Sequence, residues 1–87
     1  MISKKDLIKI NKIKRPIVFL PMAVDFLHHG HVRIIKKASK FGSVIIGLMT
    51  DNGLKSYKGK PILNFRQRKE IITQINNVDY IIPLDGL

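Results

Sequence analysis

The sequence predicts an α/β domain built on a parallel sheet. Three apolar runs of strand length, "PIVFLPM", "SVIIGLMT" and "VDYIIPL", are spread along the chain. Each is continuous and not alternating, which suits a parallel strand covered on both faces. Segments of helical period lie between them, so the order is strand, helix, strand, loop, helix, strand. Right-handed crossovers put helices on the faces of such a sheet. Strand one is expected between the other two, as in a mononucleotide-binding half.

Residues 3 to 13 mix Lys and Asn with Leu7, Ile8, Ile10 and Ile13. They read as a short basic helix or arm that stops before Pro16, because a residue preceding proline avoids the helical region. The organisation is therefore an arm over 1–15 and a domain over 16–87. "PIVFLPM" is strand one and "AVDFL" a loop. From His29 to about Phe41, Ile34, Ile35, Ala38 and Phe41 recur at helical steps, with Lys36, Lys37 and Lys40 facing away. Gly42 stops that helix. "SVIIGLMT" is strand two. "DNGLKSYKGKPIL" is polar and lysine-rich, so it reads as a loop with one helical turn at most. Asn64 caps a helix to about Asn76, with Gln67 as its capping-box partner and Ile71, Ile72 and Ile75 inward. "VDYIIPL" is strand three.

Composition narrows the function classes. The chain has 87 residues, enough for one domain, and a formal net charge of +10 from 16 Lys and Arg against 6 Asp and Glu. Such a balance favours an anionic partner. Cysteine is absent, which excludes disulfides and thiolate metal sites and suits a reducing compartment. No apolar run spans a bilayer, and the opening "MISKKDLIKINKIKRP" has no signal-peptide core. The expectation is a cytoplasmic protein without a membrane partner.

Ligands of parallel α/β sheets bind outside the carboxyl ends of the strands. Those ends open onto residues 22 to 31, 50 to 60 and 84 onward. All three histidines of the chain fall in the first stretch, in "FLHHGHVRII". His28 and His31 stand three apart with Gly30 between them. Glycine lets a ligand approach the backbone, and the amides of the following helix carry partial positive charge. Two imidazoles beside open amides suit phosphate oxygens and the charge that builds on a phosphoryl group in transit. Two other readings stand beside this one. The histidines could simply face solvent at a helix start, or bind zinc with carboxylates from elsewhere. Lys55, Lys58 and Lys60 follow strand two, as a phosphate-closing loop or a solvated one. Arg66 and Arg68 sit in the first turn of a helix, where cations are unfavourable, and a nearby anion would relieve the conflict.

"MAVDFLHHGHVRIIKKASKFG" resembles the opening of the cytidylyltransferase-like nucleotidyltransferases, whose first strand runs into an Asp-x-x-His-x-Gly-His turn and a helix. Asp25, His28, Gly30 and His31 stand at those positions. "SVIIGLMTD", "SYKGKPILNFRQRKEII" and "VDYIIP" are similar to the segments that follow, so the resemblance covers residues 16 to 85. It implies a Rossmann-like three-layer αβα fold with a parallel sheet, truncated at the C-terminus. Met22 and Ala23 stand where the family opens its turn with Gly-Thr or Gly-Ser. The family's later Arg-Thr-x-Gly-x-Ser-Thr motif does not occur before Leu87.

The resemblance implies transfer of CMP from CTP to a small phosphorylated or phosphonate alcohol or amine, with release of pyrophosphate. Glycerol-3-phosphate, phosphoethanolamine and aminoethylphosphonate are acceptors of this kind. It implies catalytic roles for His28, His31, Lys58 and Lys60, and nucleotide contacts by Met22, Ala23, Asp25, Phe26, His28, Gly30 and His31. Asp25 and Arg68 would meet the acceptor. Mg2+ is expected with the triphosphate, with no metal-ligand set of its own, and a homodimer is implied. The alternatives are an adenylyltransferase of the same superfamily and a non-catalytic basic module that binds anions or nucleic acid. The last is disfavoured: four Phe and two Tyr, mostly at core-like positions, offer no stacking motif.

Overall fold

In the computed structural model, which describes residues 2–24, 29–58 and 63–85 (56–58 by backbone alone), strand β2 (Ser43–Met49) occupies the middle of a three-stranded sheet. Strand β1 (Ile17–Met22) pairs with one edge and strand β3 (Val78–Leu84) with the other, both parallel. Strand one is thus an outer strand, and the expectation that it would lie between the others is corrected. Both crossovers step the same way along the sheet. With right-handed connections, their helices must then share one face.

They do. Helix α2 (His29–Ser39) and helix α4 (Phe65–Ile72) cover the same side. Ile35 and Ala38 of α2 and Ile72 of α4 join Val44, Ile46, Leu48 and Ile81 in one buried core. Complete burial of an Ile or Leu stabilises by about 1.5–3 kcal/mol, so this face carries most of the fold. Every residue of β2 from Val44 to Met49 is buried, which explains its unbroken apolar sequence. Pro21 and Pro83 fall in the two outer strands and none in β2, as a residue without an N–H requires.

The opposite face carries helix α1 (Lys4–Asn11), capped by Ser3, whose hydroxyl accepts from the Asp6 N–H at 3.1 Å. None of its residues is buried. Ile2 and Ile10 line an apolar groove with Ile17, Phe19, Ile45 and Ile82. The Tyr80 hydroxyl donates to Asp6 Oδ1 at 2.6 Å and ties α1 to β3. Phe19 lies over Gly47, where any side chain would overlap its ring. The three layers are α2 and α4, the sheet, and α1.

The β2–β3 register slips by one residue: Val44 pairs with Val78, but Ile45 with Tyr80. Asp79 is the extra residue of this bulge, and its Oδ2 accepts the Val44 N–H at 2.7 Å. The side chain replaces the backbone acceptor that the slip removes.

Three expectations change. Ile34 is 53% exposed and Phe41 69% exposed, so neither faces the core. The buried face of α2 runs through His31, Ile35 and Ala38, at steps of four and three, and Ile34 falls roughly 70° off its centre at 100° per residue. Phe41 lies past the end of α2. Residues 51–58 form helix α3 (Asp51–Lys58), not a loop. Thr50 explains why: its hydroxyl accepts from the Gly53 N–H at 3.1 Å, a local cap that outweighs the weak helix formers Asn52 and Gly53. Helix α4 ends at Ile72, short of the expected Asn76.

Candidate functional site at the carboxyl edge of the sheet

The carboxyl ends of β1 and β2 open onto helices α2 and α3. Leaving β1, Met22 and Ala23 are half-buried and Val24 is buried. Val24 has φ 54°, a left-handed conformation that β-branched residues avoid. Holding it there costs on the order of 1–3 kcal/mol, and such strain persists only where its surroundings enforce it. Asp25, Phe26 and His28 lie outside the described residues. The chain resumes in α2, where His29 is exposed while Gly30 and His31 are half-buried. His31 shares the face of Ile35 and Ala38, and His29 is on the far side, roughly 160° away.

After β2, the chain is stapled to the end of β3. The Thr50 N–H donates to the Leu84 carbonyl at 3.0 Å, and the Thr50 hydroxyl donates to Asp85 Oδ1 at 2.8 Å. Gly53 packs against the Asp85 carbonyl, where a Cβ would stand 2.6 Å from the oxygen. Lys55 is exposed on α3 and Lys58 ends that helix, while Lys60 lies outside the described residues.

Arg68 departs most from expectation. A residue meant to hold an acceptor's phosphate should reach solvent. Arg68 is 0% exposed and is the one buried charged residue among those described. Its Nε donates to the Leu63 carbonyl at 3.1 Å. One terminal nitrogen donates to the carbonyls of Ala23, at 2.8 Å, and Met49, at 2.6 Å. The other donates to Asp51 Oδ1 at 2.8 Å. The acceptor-binding role is corrected on this geometry, since four of the five guanidinium donors are taken by the chain. The anion that relieves a cation in the first turn of α4 is Asp51. Phe65 adds its ring, 5.8 Å from the guanidinium carbon.

The arrangement brings the turn after β1, the start of α2 and the start of α3 to one edge. Sequence reasoning missed Thr50, Gly53 and Asp85. The signal was a Thr followed by Gly three residues on, at the end of a strand. Among the described residues, no group of three or more His, Asp or Glu could hold a metal ion. None of the described helices is long and apolar enough to cross a membrane.

Comparison with known proteins gives this edge a family. The cytidylyltransferase-like family model matches residues 23–86. The bifunctional protein HldE of Aliarcobacter butzleri is 36% identical over 77 residues, which are 85% of this chain and 16% of that protein. The HldE of Syntrophotalea carbinolica is 28% identical over 87 residues, 95% of this chain and 18% of that protein. The chain thus spans less than a fifth of these curated relatives. Among solved structures, the lipopolysaccharide core biosynthesis protein of Thermoplasma volcanium superposes with a TM-score of 0.73 at 25% identity, covering 78% of this chain and 57% of that one. The matched segment holds the turn after β1, all of α2, β2 and β3 and the Arg68 cluster, so the chain belongs to the cytidylyltransferase-like nucleotidyltransferase family.

Proposed function

We propose that this chain takes part in nucleotidyl transfer, moving CMP from CTP to a small phosphorylated or phosphonate alcohol or amine. The carrying observation is the family match over residues 23–86, which supplies the reaction class. An acceptor oxygen attacks the α-phosphorus in line. A new P–O bond forms to the acceptor, the bond to the β,γ-phosphates breaks, and pyrophosphate leaves. The protein positions both substrates and stabilises the charge that shifts onto the leaving phosphates. His28 and His31, with Gly30 and the first amides of α2, cradle the triphosphate. Met22, Ala23, Asp25 and Phe26 border the nucleotide, and Asp25 also meets the acceptor. Lys58 and Lys60 add positive charge over the phosphates. Magnesium enters on the triphosphate's own oxygens, as part of the substrate.

Adenylyl transfer is the second reading. The relatives reported above are named HldE and not cytidylyltransferases, and His-x-Gly-His also suits adenylyltransferases. A panel of CTP, ATP, GTP and UTP with magnesium, scored by pyrophosphate release with each acceptor class, separates the two. His28→Ala and His31→Ala should each lower turnover at least about a hundredfold, the scale of a lost transition-state donor. His29→Ala should change it little. Tight nucleotide binding without pyrophosphate release from any acceptor would make the chain a binding module. Absence of nucleotide binding would overturn the proposal. Sedimentation of the same samples tests the homodimer that the family resemblance implies.

A further inference from the structure

Arg68 reaches four segments with one side chain. It holds the carbonyl that ends β1, the carbonyl that ends β2, the first residue of α3 and the residue before the cap of α4. The β1 carbonyl belongs to Ala23, whose peptide bond leads directly into Val24 and its left-handed φ of 54°. A strained turn needs an external hold. Val24 is held by its buried side chain on one side and by the guanidinium on the other. Asp51 is the counter-charge, and its carboxylate is 47% exposed while the arginine is wholly buried.

We propose that Arg68, oriented by Asp51, is a positioning residue: it sets the strained turn at Val24 and thereby places the end of β1, Met22 and Ala23, against the nucleotide. The idea rests on the nucleotide-binding reading above. It makes α3 and the β1 turn a single unit, because one guanidinium bonds both. It also explains why arginine is required. An ammonium has three donors on one atom: it can replace the nitrogen shared by the Ala23 and Met49 carbonyls, but it cannot also reach the Leu63 carbonyl and the Asp51 carboxylate, which the guanidinium meets from its other two nitrogens. Charge alone is therefore insufficient, and Arg68→Lys should fail to substitute.

The test uses the 87-residue chain with three variants. Arg68→Lys removes the fork. Asp51→Asn keeps an oxygen in place and removes the charge, at a half-exposed position. Ile72→Val lies on the same helix, trims the core and removes none of the four hydrogen bonds. Melting curves give the stability of each. Amide NMR spectra follow Met22, Ala23 and Val24. Calorimetry gives the affinity for CTP and for ATP, each with magnesium, at a temperature where all variants are folded.

Arg68→Lys should displace the Met22, Ala23 and Val24 amides and weaken both nucleotides about fivefold or more, an ordinary size for coupling between sites. Asp51→Asn should do the same to a smaller degree, and it carries the test if Arg68→Lys does not fold. Ile72→Val should lower the melting temperature and leave the three amides and both affinities in place. The proposal is overturned if folded Arg68→Lys and Asp51→Asn keep the parent affinities and unmoved amides. It is equally overturned if Ile72→Val reproduces their effects, since that would reduce Arg68 to a stability residue. If the parent chain binds neither nucleotide, the functional reading fails by itself. The amide displacements then decide the positioning role alone.

Discussion

Asp6 and Tyr80 show how a single contact makes the molecule pH-sensitive. The hydrogen bond to Asp6 raises the Tyr80 pKa above its ordinary 10.0, helped by partial desolvation and by the nearby negative charge. A group whose pKa is raised by folding stabilises the fold fully below its unfolded value. That stability is lost as pH climbs through the folded value. The hold of β3 on α1 should therefore weaken only in strongly alkaline solution. Ring resonances of Tyr80 should titrate above pH 10, and Asp6→Asn should bring the midpoint back towards it. Gly42 makes a second prediction at this scale. A Cβ there would overlap the Pro16 carbonyl, which is backbone and cannot swing aside. Gly42→Ala should cost about 1–3 kcal/mol, seen as a lower melting temperature. Gly47→Ala should cost less, since the half-exposed Phe19 ring can move away. Arg68 marks the limit of reading residues from sequence. Its place in the first turn of a helix was legible, and so was its need for an anion. Its burial was not, because its partners Asp51, Met49 and Ala23 lie 17, 19 and 45 residues away.

Elements were legible where their signals are local. The capping box of α4 formed as read: the Asn64 side chain accepts the Gln67 N–H at 2.9 Å, and Gln67 accepts the Asn64 N–H at 3.0 Å. Asn64→Ala should cost about 1 kcal/mol in urea denaturation. β3 was bounded correctly because Asn77 and Asp85 flank a run rich in Ile and Val. α3 was missed because Asn52, Gly53 and Ser56 argue against a helix, while the Thr50 cap and the β3 staple argue for it from outside the segment. Asp79 was read only as part of a strand. Its bulge depends on how two strands align, which no local pattern records. Asp79→Ala should strand the buried Val44 N–H and cost about 1–3 kcal/mol. Asp79→Asn keeps an acceptor oxygen and should lose less in the same denaturation series.

Across the whole molecule, the sheet and its core were legible and their order was not. Three continuous apolar runs imply a parallel sheet whichever strand is central, so only the coordinates separate a middle β2 from a middle β1. With α2 and α4 on one face, that face holds the buried core, and α1 on the other contributes no buried residue. Stability should divide accordingly. Ile35→Ala, at a fully buried site, should cost about 2–5 kcal/mol and threaten folding altogether, whereas Ile8→Ala on exposed α1 should stay within about 0.5 kcal/mol. Chemical denaturation of the two variants measures the contrast.

Parallel pairing also sets the pace at which the chain can fold. Ile17 meets Ser43 and Val44 meets Val78, so neither strand junction is a tight hairpin. Each rung must wait for a crossover of more than a dozen residues to close, and that closure entropy is spent before any contact returns it. β2 is the shared partner, so it must stay open on one side until the second crossover arrives. During that interval its row of Val44, Ile45, Ile46, Leu48 and Met49 faces water with half its hydrogen bonds unmade. A nascent chain would pass through this exposed state once β2 has emerged and before β3 can dock.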